Sequence, residues 1–583
     1  MPILYALAIA ATVVNTAPAK SPHDQLWTLF ADEWDWQAAA YPEQATEVGD
    51  ARFDDRLTDW SIKAIMQRHQ HERDVLKQAE AFDRASLASD DQLNLDLFLY
   101  ALRNEVEGFR FPGELLQLTQ LESPASELGE LARAIPRGRV KDLENFLVRL
   151  KAVPAQVDQQ IALLSQGAKM GVTPPQVTLS EVPKLLANHI PADPALSPLY
   201  LTVFADLPAT IPDADKARLQ AEAKEILAGQ VIPAYRKLQA FAQTEYLPKA
   251  RRTLAASELP DGKAWYAHEI RSQTTTDKTA EEIHAIGLAE VDRIQKEMDE
   301  AQQRTGFKGN RKAFFDFLKK DKRFYYPTKE ALLAGYRDIA KRIDPQLPPH
   351  FKTLPRLTYG VEAMPDYQAK TSPAAFYEPG APEVGRAGNF MANTYDLKSR
   401  PKWAMEDLTL HEAVPGHHFQ IARAQELSSL PKFRRYTFYN AFGEGWALYC
   451  ESLGDELGLY QDPYSKFGQL SAEMWRAVRL VVDTGIHAQG WTREQAIAFF
   501  HDHTGQPELN ARVEVDRYIV WPGQALGYKI GQLDIKALRA AAEQTLKDRF
   551  DEREFHDQIL GAGALPLSVL DQRIHDWIAS QGR

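Results

Sequence analysis

The sequence predicts a mainly α-helical protein with one small β-sheet set into it, and three observations carry that prediction. From about residue 24 to 347, apolar and charged residues alternate at the helical period in segments cut by prolines. Between Pro348 and Pro401 the texture changes to short aromatic or β-branched runs bounded by Pro and Gly. From Trp403 to about Trp577 the helical period returns.

In the first region the clearest helices are expected over 141–164, 216–243 and 280–303. Thr279 followed by Glu281 and Glu282 gives the last of these an N-terminal signal. The middle region yields three short strands, at 357–362, 374–377 and 389–394. Further helices are expected around His411 and over 433–453, 464–489, 492–504 and 514–533. No Gly/Ser-rich or Pro-rich tether separates these regions, so residues 20–583 read as one integrated unit. Its helical N-terminal half spans about 24–350 and a second half, which carries the His-rich motif, about 351–583.

Composition narrows the function classes. With 583 residues, 44% of them apolar, the chain can bury a large core. A formal net charge of -12 repels phosphates at long range and argues against a nucleic-acid partner. Cys450 is the single cysteine, so intramolecular disulfides and Cys-based zinc sites are excluded, and any metal must be held by His and carboxylates.

At the N-terminus an apolar run from Ile3 to Val14 precedes Ala17-x-Ala19, a small-residue cleavage pattern. This predicts a signal peptide over 1–19 and a periplasmic or secreted protein, although no Lys or Arg precedes the run. The alternative is a buried N-terminal helix. No other segment is apolar enough to span a bilayer, so no stable membrane span is expected after cleavage.

The chemistry concentrates at His411-Glu412-Ala413-Val414-Pro415-Gly416-His417-His418. It departs from the H-E-x-x-H zinc-peptidase pattern, in which two His one turn apart hold the metal and the Glu activates its water. On an ideal helix His418 returns to within about 20° of the face of His411 but lies roughly 10 Å further along the axis. His417 would point about 120° away. Pro415 cannot donate to the carbonyl of residue 411 and clashes with it, and Gly416 frees the backbone. A local bulge that carries His417 or His418 to a metal shared with His411 is therefore expected, with Glu412 as general base.

The run His411-Glu412-x-x-Pro415-Gly416-His417-His418-x-Gln420 resembles the hallmark of the bacterial domain-of-unknown-function 885 family, grouped with gluzincin-type zinc metallopeptidases. Gly388-Asn389-Phe390-x-x-Asn393-Thr394, Gly443-Glu444-Gly445-Trp446 and Arg517-Tyr518-x-x-x-Pro522-Gly523-Gln524 extend the resemblance over most of the chain. It implies a helical gluzincin-like metallopeptidase with the small sheet beside the active-site helix. It also implies Zn2+ as cofactor, His417 rather than His418 as second ligand, Glu444 as third, and Tyr518 as the oxyanion donor. Asn389 would open an edge strand that pairs with an extended peptide, and the N-terminal half would roof the cleft.

Glu451, on the face of Glu444, has two readings: an orienter of a ligand imidazole or a plain surface carboxylate. Gln524, Tyr528 and Lys529 are candidates to bind a substrate carboxylate. The function expected is a zinc-dependent peptidase trimming oligopeptides, as a carboxypeptidase or dipeptidyl carboxypeptidase. The alternatives are a metal-dependent hydrolase of another amide or ester, or an inactive peptide-binding protein.

Overall fold

A computed structural model describes residues 20–581 apart from 366–368 and 370–371. The expected signal peptide, 1–19, lies outside the described residues. Among the described residues helices dominate and one three-stranded sheet interrupts them, as the hydrophobic periodicity predicts. Among the described residues no helix is long and apolar enough to cross a membrane.

Local chemistry sets many helix starts. Thr279 caps the helix Ala280–Arg304 by accepting from the Glu282 amide, while the Glu282 carboxylate accepts from the Thr279 amide. Ser123 and Ser126 form the same reciprocal pair ahead of the helix Pro124–Ala134.

Three large apolar cores organise the chain. One is built wholly from residues between Leu118 and Ala250 in the N-terminal half. A second combines Val291 to Phe324 with Phe467 to Ala525. Here the helix Ala280–Arg304 lies along the helix Pro463–His487 so closely that a Cβ on Gly287 would sit 2.8 Å from the Leu480 Cβ. Val291, Ile294, Met298 and Ala301 of the first helix thus serve a core shared with the C-terminal half, although the charged face of that helix marks it only as amphipathic. The third core joins the sheet, the His411 region and the C-terminal helices.

The strands are β1 (Tyr359–Ala363), β2 (Ala375–Glu378) and β3 (Gly388–Ala392), in the order β1-β3-β2. β1 runs parallel to β3 with Val361 opposite Phe390, and β2 runs antiparallel to it with Tyr377 opposite Phe390. β3 is therefore the central strand. This corrects the edge-strand expectation for Asn389, which stands between Gly360 and Glu378, so neither side of its backbone is open to a peptide. The free edges belong to β1 and β2.

Candidate metal centre

The motif folds as two helices meeting at a sharp corner. The helix Met405–Glu412 ends when the Ala413 amide bonds the Thr409 carbonyl, and a new helix, His417–Glu426, begins after Gly416. The Val414–Pro415 peptide is cis. The expected bulge is thus a full break, because Pro415 removes the ladder bond to residue 411 and Ala413 leaves helical geometry at φ -101° and ψ -109°. Gly416 lies against the end of the first helix. A Cβ there would fall 2.0 Å from the His411 carbonyl oxygen and 2.3 Å from that of Leu410, so no larger residue fits. The Trp446 indole N–H donates to the Pro415 carbonyl at 2.8 Å and ties the corner to the helix Asn440–Ser452.

That helix supplies Glu444. Gly443 and Gly445 flank it, and Gly445 lets the helix close on Gly527–Leu546, where a Cβ would lie 2.5 Å from the Gly531 Cα. The Glu444 Oε2 atom stands 3.5 Å from His411 Nε2 and 3.3 Å from His417 Nε2. His411, His417 and Glu444 each offer a donor atom within 4.8 Å of the other two.

These separations test the fit of a metal. Charge-assisted hydrogen bonds shorten to about 2.7–2.9 Å. Two donors bound tetrahedrally at about 2.0–2.1 Å lie roughly 3.3–3.4 Å apart, close to the spacing found. Glu444 Oε2 is buried and has no hydrogen-bond partner, so its lone pairs face the gap between the imidazoles. Two imidazoles and a carboxylate suit zinc, and the residues fit it.

Behind His411 the arrangement continues. Its Nδ1 meets Glu451 Oε1 at 2.8 Å, and the same oxygen is 3.2 Å from the Arg476 guanidinium. Glu451 is fully buried, which removes the surface-carboxylate reading and leaves a group that orients the ring with Nε2 toward Glu444. Burial opposes a positive charge on His411. Even so, the facing Glu444 carboxylate, the hydrogen bond to Glu451 and the charges of Glu412 and Glu451 raise it to about 10. Three carboxylates around one imidazole make a cage that favours a cation. Glu444 is likewise opposed by burial, yet His417 and His411 hold its carboxyl well below the usual range. Asp407, one turn before His411, is also buried, and burial and the charge of Glu451 push it well above the carboxylate range. The sequence reading missed it, although its i–4 spacing from His411 was visible.

Glu412, next to His411, is 8% exposed at the end of its helix. His418 turns the other way. Its Nδ1 lies 2.9 Å from the Tyr377 hydroxyl, its ring packs 4.5 Å from that of Tyr359, and burial lowers it to about 4. The helix His417–Glu426 therefore presents His417 to Glu444 and His418 to the sheet.

Two expected roles meet a different arrangement. Tyr518 is fully buried, and its hydroxyl donates to Glu514 at 2.7 Å while accepting from Arg479 at 3.1 Å and Trp475 at 3.2 Å. The phenol beside the imidazoles is Tyr528, whose ring runs 12° from parallel to that of His411 with centroids 6.4 Å apart. The Arg479 guanidinium sits 4.4 Å from the Tyr528 ring, and Arg517 donates to its hydroxyl at 3.3 Å. In the sequence Arg479 stands out as a lone cation within the apolar run 477–482.

Lys529 requires a correction. It is fully buried and paired with Glu473 at 2.6 Å and Glu290 at 2.8 Å, so its charge is spent inside the helix bundle and does not reach a cleft. Gln524 stays near Tyr528, accepting from Arg517 at 2.8 Å. The N-terminal half also reaches this region. Arg133 pairs with Glu378 of β2 at 3.0 Å, and Gln120 donates to the Asp516 carbonyl at 2.9 Å.

The fold occurs in solved structures. A protein of Colwellia psychrerythraea, described as a "putative lipoprotein", matches with a TM-score of 0.92 and 28% identity over 96% of this chain and 100% of its own. A Shewanella oneidensis protein, described in the same words and as of unknown function, shares the fold at a TM-score of 0.70 and 19% identity, over 95% and 99% of the two chains. No curated protein matches. A family model described as a bacterial protein of unknown function, DUF885, matches residues 42–574, and with the motif at His411 inside that span, the chain belongs to this family.

Proposed function

We propose that this protein is a zinc-dependent peptidase of gluzincin type acting on oligopeptides. The observation that carries the reading is the convergence of His411 Nε2, His417 Nε2 and Glu444, with Glu451 fixing His411 from behind. His411, His417 and Glu444 would hold the metal, which when bound supplies Lewis acidity and an activated water.

The chain's own residues supply the rest. Glu412 accepts the proton of the attacking water and returns it to the leaving amine. The Tyr528 hydroxyl, next to His411 and fed by Arg517, is the phenol placed to donate to a developing oxyanion. Arg517 with Gln524, in place of Lys529, is the cation suited to a substrate's terminal carboxylate, which favours trimming from the C-terminus.

Export to the cell envelope is part of the same reading. It is supported by the apolar N-terminal run and by the lipoprotein description of the Colwellia relative. Fractionation of cells expressing the full sequence tests it, and recovery in the cytosol alone would overturn it.

The activity is tested by digesting a peptide library, including C-terminally amidated members, and reading products by mass spectrometry. Glu412→Gln is expected to keep its metal while losing about 10²–10⁴-fold in rate. Absence of metal in the wild-type protein, or equal rates for both proteins, would refute the proposal. Turnover of simple amides or esters without any peptide cleavage would replace it with a non-peptide hydrolase.

A further inference from the structure

Apart from the metal centre, the N-terminal half contains a cavity of about 410 Å³ between the helices Ile62–Glu80, Ser89–Gly108 and Gly262–Thr274. Its size is within the range of small-molecule pockets. Its lining combines two chemistries. Phe109, Phe111 and Trp265 supply aromatic surface, the last two stacked at 5.6 Å. Glu72, Glu105, Glu114 and Glu269 supply four carboxyls.

Arg68 is the one Lys or Arg among the lining residues, and it is already engaged. Its guanidinium donates to the Asp59 carbonyl at 2.8 Å and lies over the rings of Tyr41 and Trp60. His69 and His268 also line the space. His69 stacks on Phe109 at 3.8 Å, and burial lowers both imidazoles, so neither offsets the carboxyls.

What marks the cavity as more than an acidic cluster is the state of its buried acceptors. Glu72 is 4% exposed, and its Oε2 atom is buried with no hydrogen-bond partner. Gln117 Oε1, on the same lining, is also buried and unpartnered. An unpaired buried acceptor costs about 1–3 kcal/mol, more when charged, so these two oxygens are left wanting donors. Burial and the neighbouring Glu105 and Glu33 raise Glu72 to about 8 against the charges of Arg68 and Arg73, and burial raises Glu269 to about 7 against the Trp265 N–H that bonds it. Both shifts come first from burial, with the neighbouring Glu105 adding to each.

A ligand that satisfies these groups must donate several hydrogen bonds, carry positive charge and present an apolar body to aromatic rings. A hydrated metal ion meets the first two requirements but has no use for the rings. An alkylammonium meets all three, through its three N–H donors, its charge and its methylene chain. We propose that this cavity binds a primary ammonium group on a short aliphatic chain, presented either by a lysine side chain or by a free alkyl diamine. The site is independent of the peptidase reading and of metal occupancy.

Titration calorimetry on the full chain, with and without EDTA, tests the proposal. The probes are 1,5-diaminopentane, a short lysine-containing peptide blocked at both ends, 1,5-pentanediol as the uncharged control, and calcium chloride. Saturable binding of at least one amine is expected, with none of the diol and no dependence on EDTA. Glu72→Gln should weaken that binding at least tenfold while the thermal transition is retained. Glu105→Gln serves as the second variant if Glu72→Gln does not fold. Preference for the peptide assigns the lysine source, and preference for the diamine assigns the free amine. No saturable amine binding, equal binding of the diol, binding of calcium alone, or unchanged affinity in the folded variants would each overturn the proposal.

Discussion

At the scale of single residues, the centre turns on which atom of each side chain is already used. His411 spends Nδ1 on Glu451 and keeps Nε2 for the gap shared with His417 and Glu444. Replacing Glu451 with Gln would remove the charge that fixes this tautomer and leave Arg476 without a partner there. Zinc affinity is expected to fall about 10–100-fold, as read by competition with a chromogenic chelator. Unchanged affinity would mean that Glu451 serves packing alone. The two tyrosines separate in the same way. Tyr528→Phe should lower kcat by about 10²–10³-fold with the melting temperature nearly unchanged. Tyr518→Phe removes a hydroxyl with three partners from a sealed interior and should lower stability by about 1–3 kcal/mol, with kcat kept within a few-fold. The reverse pattern would return the oxyanion role to Tyr518.

At the scale of elements, the site depends on one corner and one helix contact. Gly416 permits the chain to turn against the carbonyls of Leu410 and His411, and the Trp446 N–H holds the neighbouring Pro415 carbonyl. Gly416→Ala is expected to destabilise the fold by about 2–3 kcal/mol. It should also weaken zinc binding by more than tenfold, because moving the corner moves His417 relative to His411. Denaturant unfolding and metal titration check the two parts separately, and wild-type zinc affinity in a folded Gly416→Ala protein would refute the geometric argument. The strands show how an element's existence and its neighbours are separate questions. Short aromatic runs between prolines marked all three strands within a residue or two of their ends. The placement of β3 between β1 and β2 depends on the β1–β3 crossover, and nothing in the run from Asn389 to Thr394 encodes that order.

At the scale of the whole molecule, buried ionisable groups tie stability to pH. Burial raises Glu72 to about 8 and Asp483 to about 7, the latter against hydrogen bonds from Tyr266 and the Gly523 amide. Between their unfolded values near 4–4.5 and these folded ones, the native state binds more protons, so this stabilisation is lost as pH rises through 7 to 8. Burial lowers His487 to about 4 and His556 to about 3. Those rings are neutral when folded, and their contribution is present above about 6.5 and lost as pH falls toward 4. The two sets oppose each other between about 4.5 and 6.5, and only the carboxyl set acts from 6.5 to 8. The melting temperature, measured without metal in buffers of matched ionic strength, is therefore expected to fall between pH 6.5 and 8.5. A rise over that interval would contradict the assignment.

The sequence by itself determined the helical class, the place of the small sheet, and the cluster of His411, Glu412, His417 and His418 as the candidate centre. Those features are local: hydrophobic period, Pro and Gly at fixed offsets, and donor side chains close together in the chain. It left His417 and His418 as rivals, since adjacent residues on a broken helix differ only in what they face. The tertiary structure decided between them by putting Tyr377 and Tyr359 against His418 and Glu444 against His417. It likewise turned Lys529 inward to Glu473 and Glu290, and set Tyr528 rather than Tyr518 beside His411. The physical reason is that a side chain's role follows from the partners that satisfy its charge and hydrogen bonds. For these residues the partners come from segments tens to hundreds of positions away.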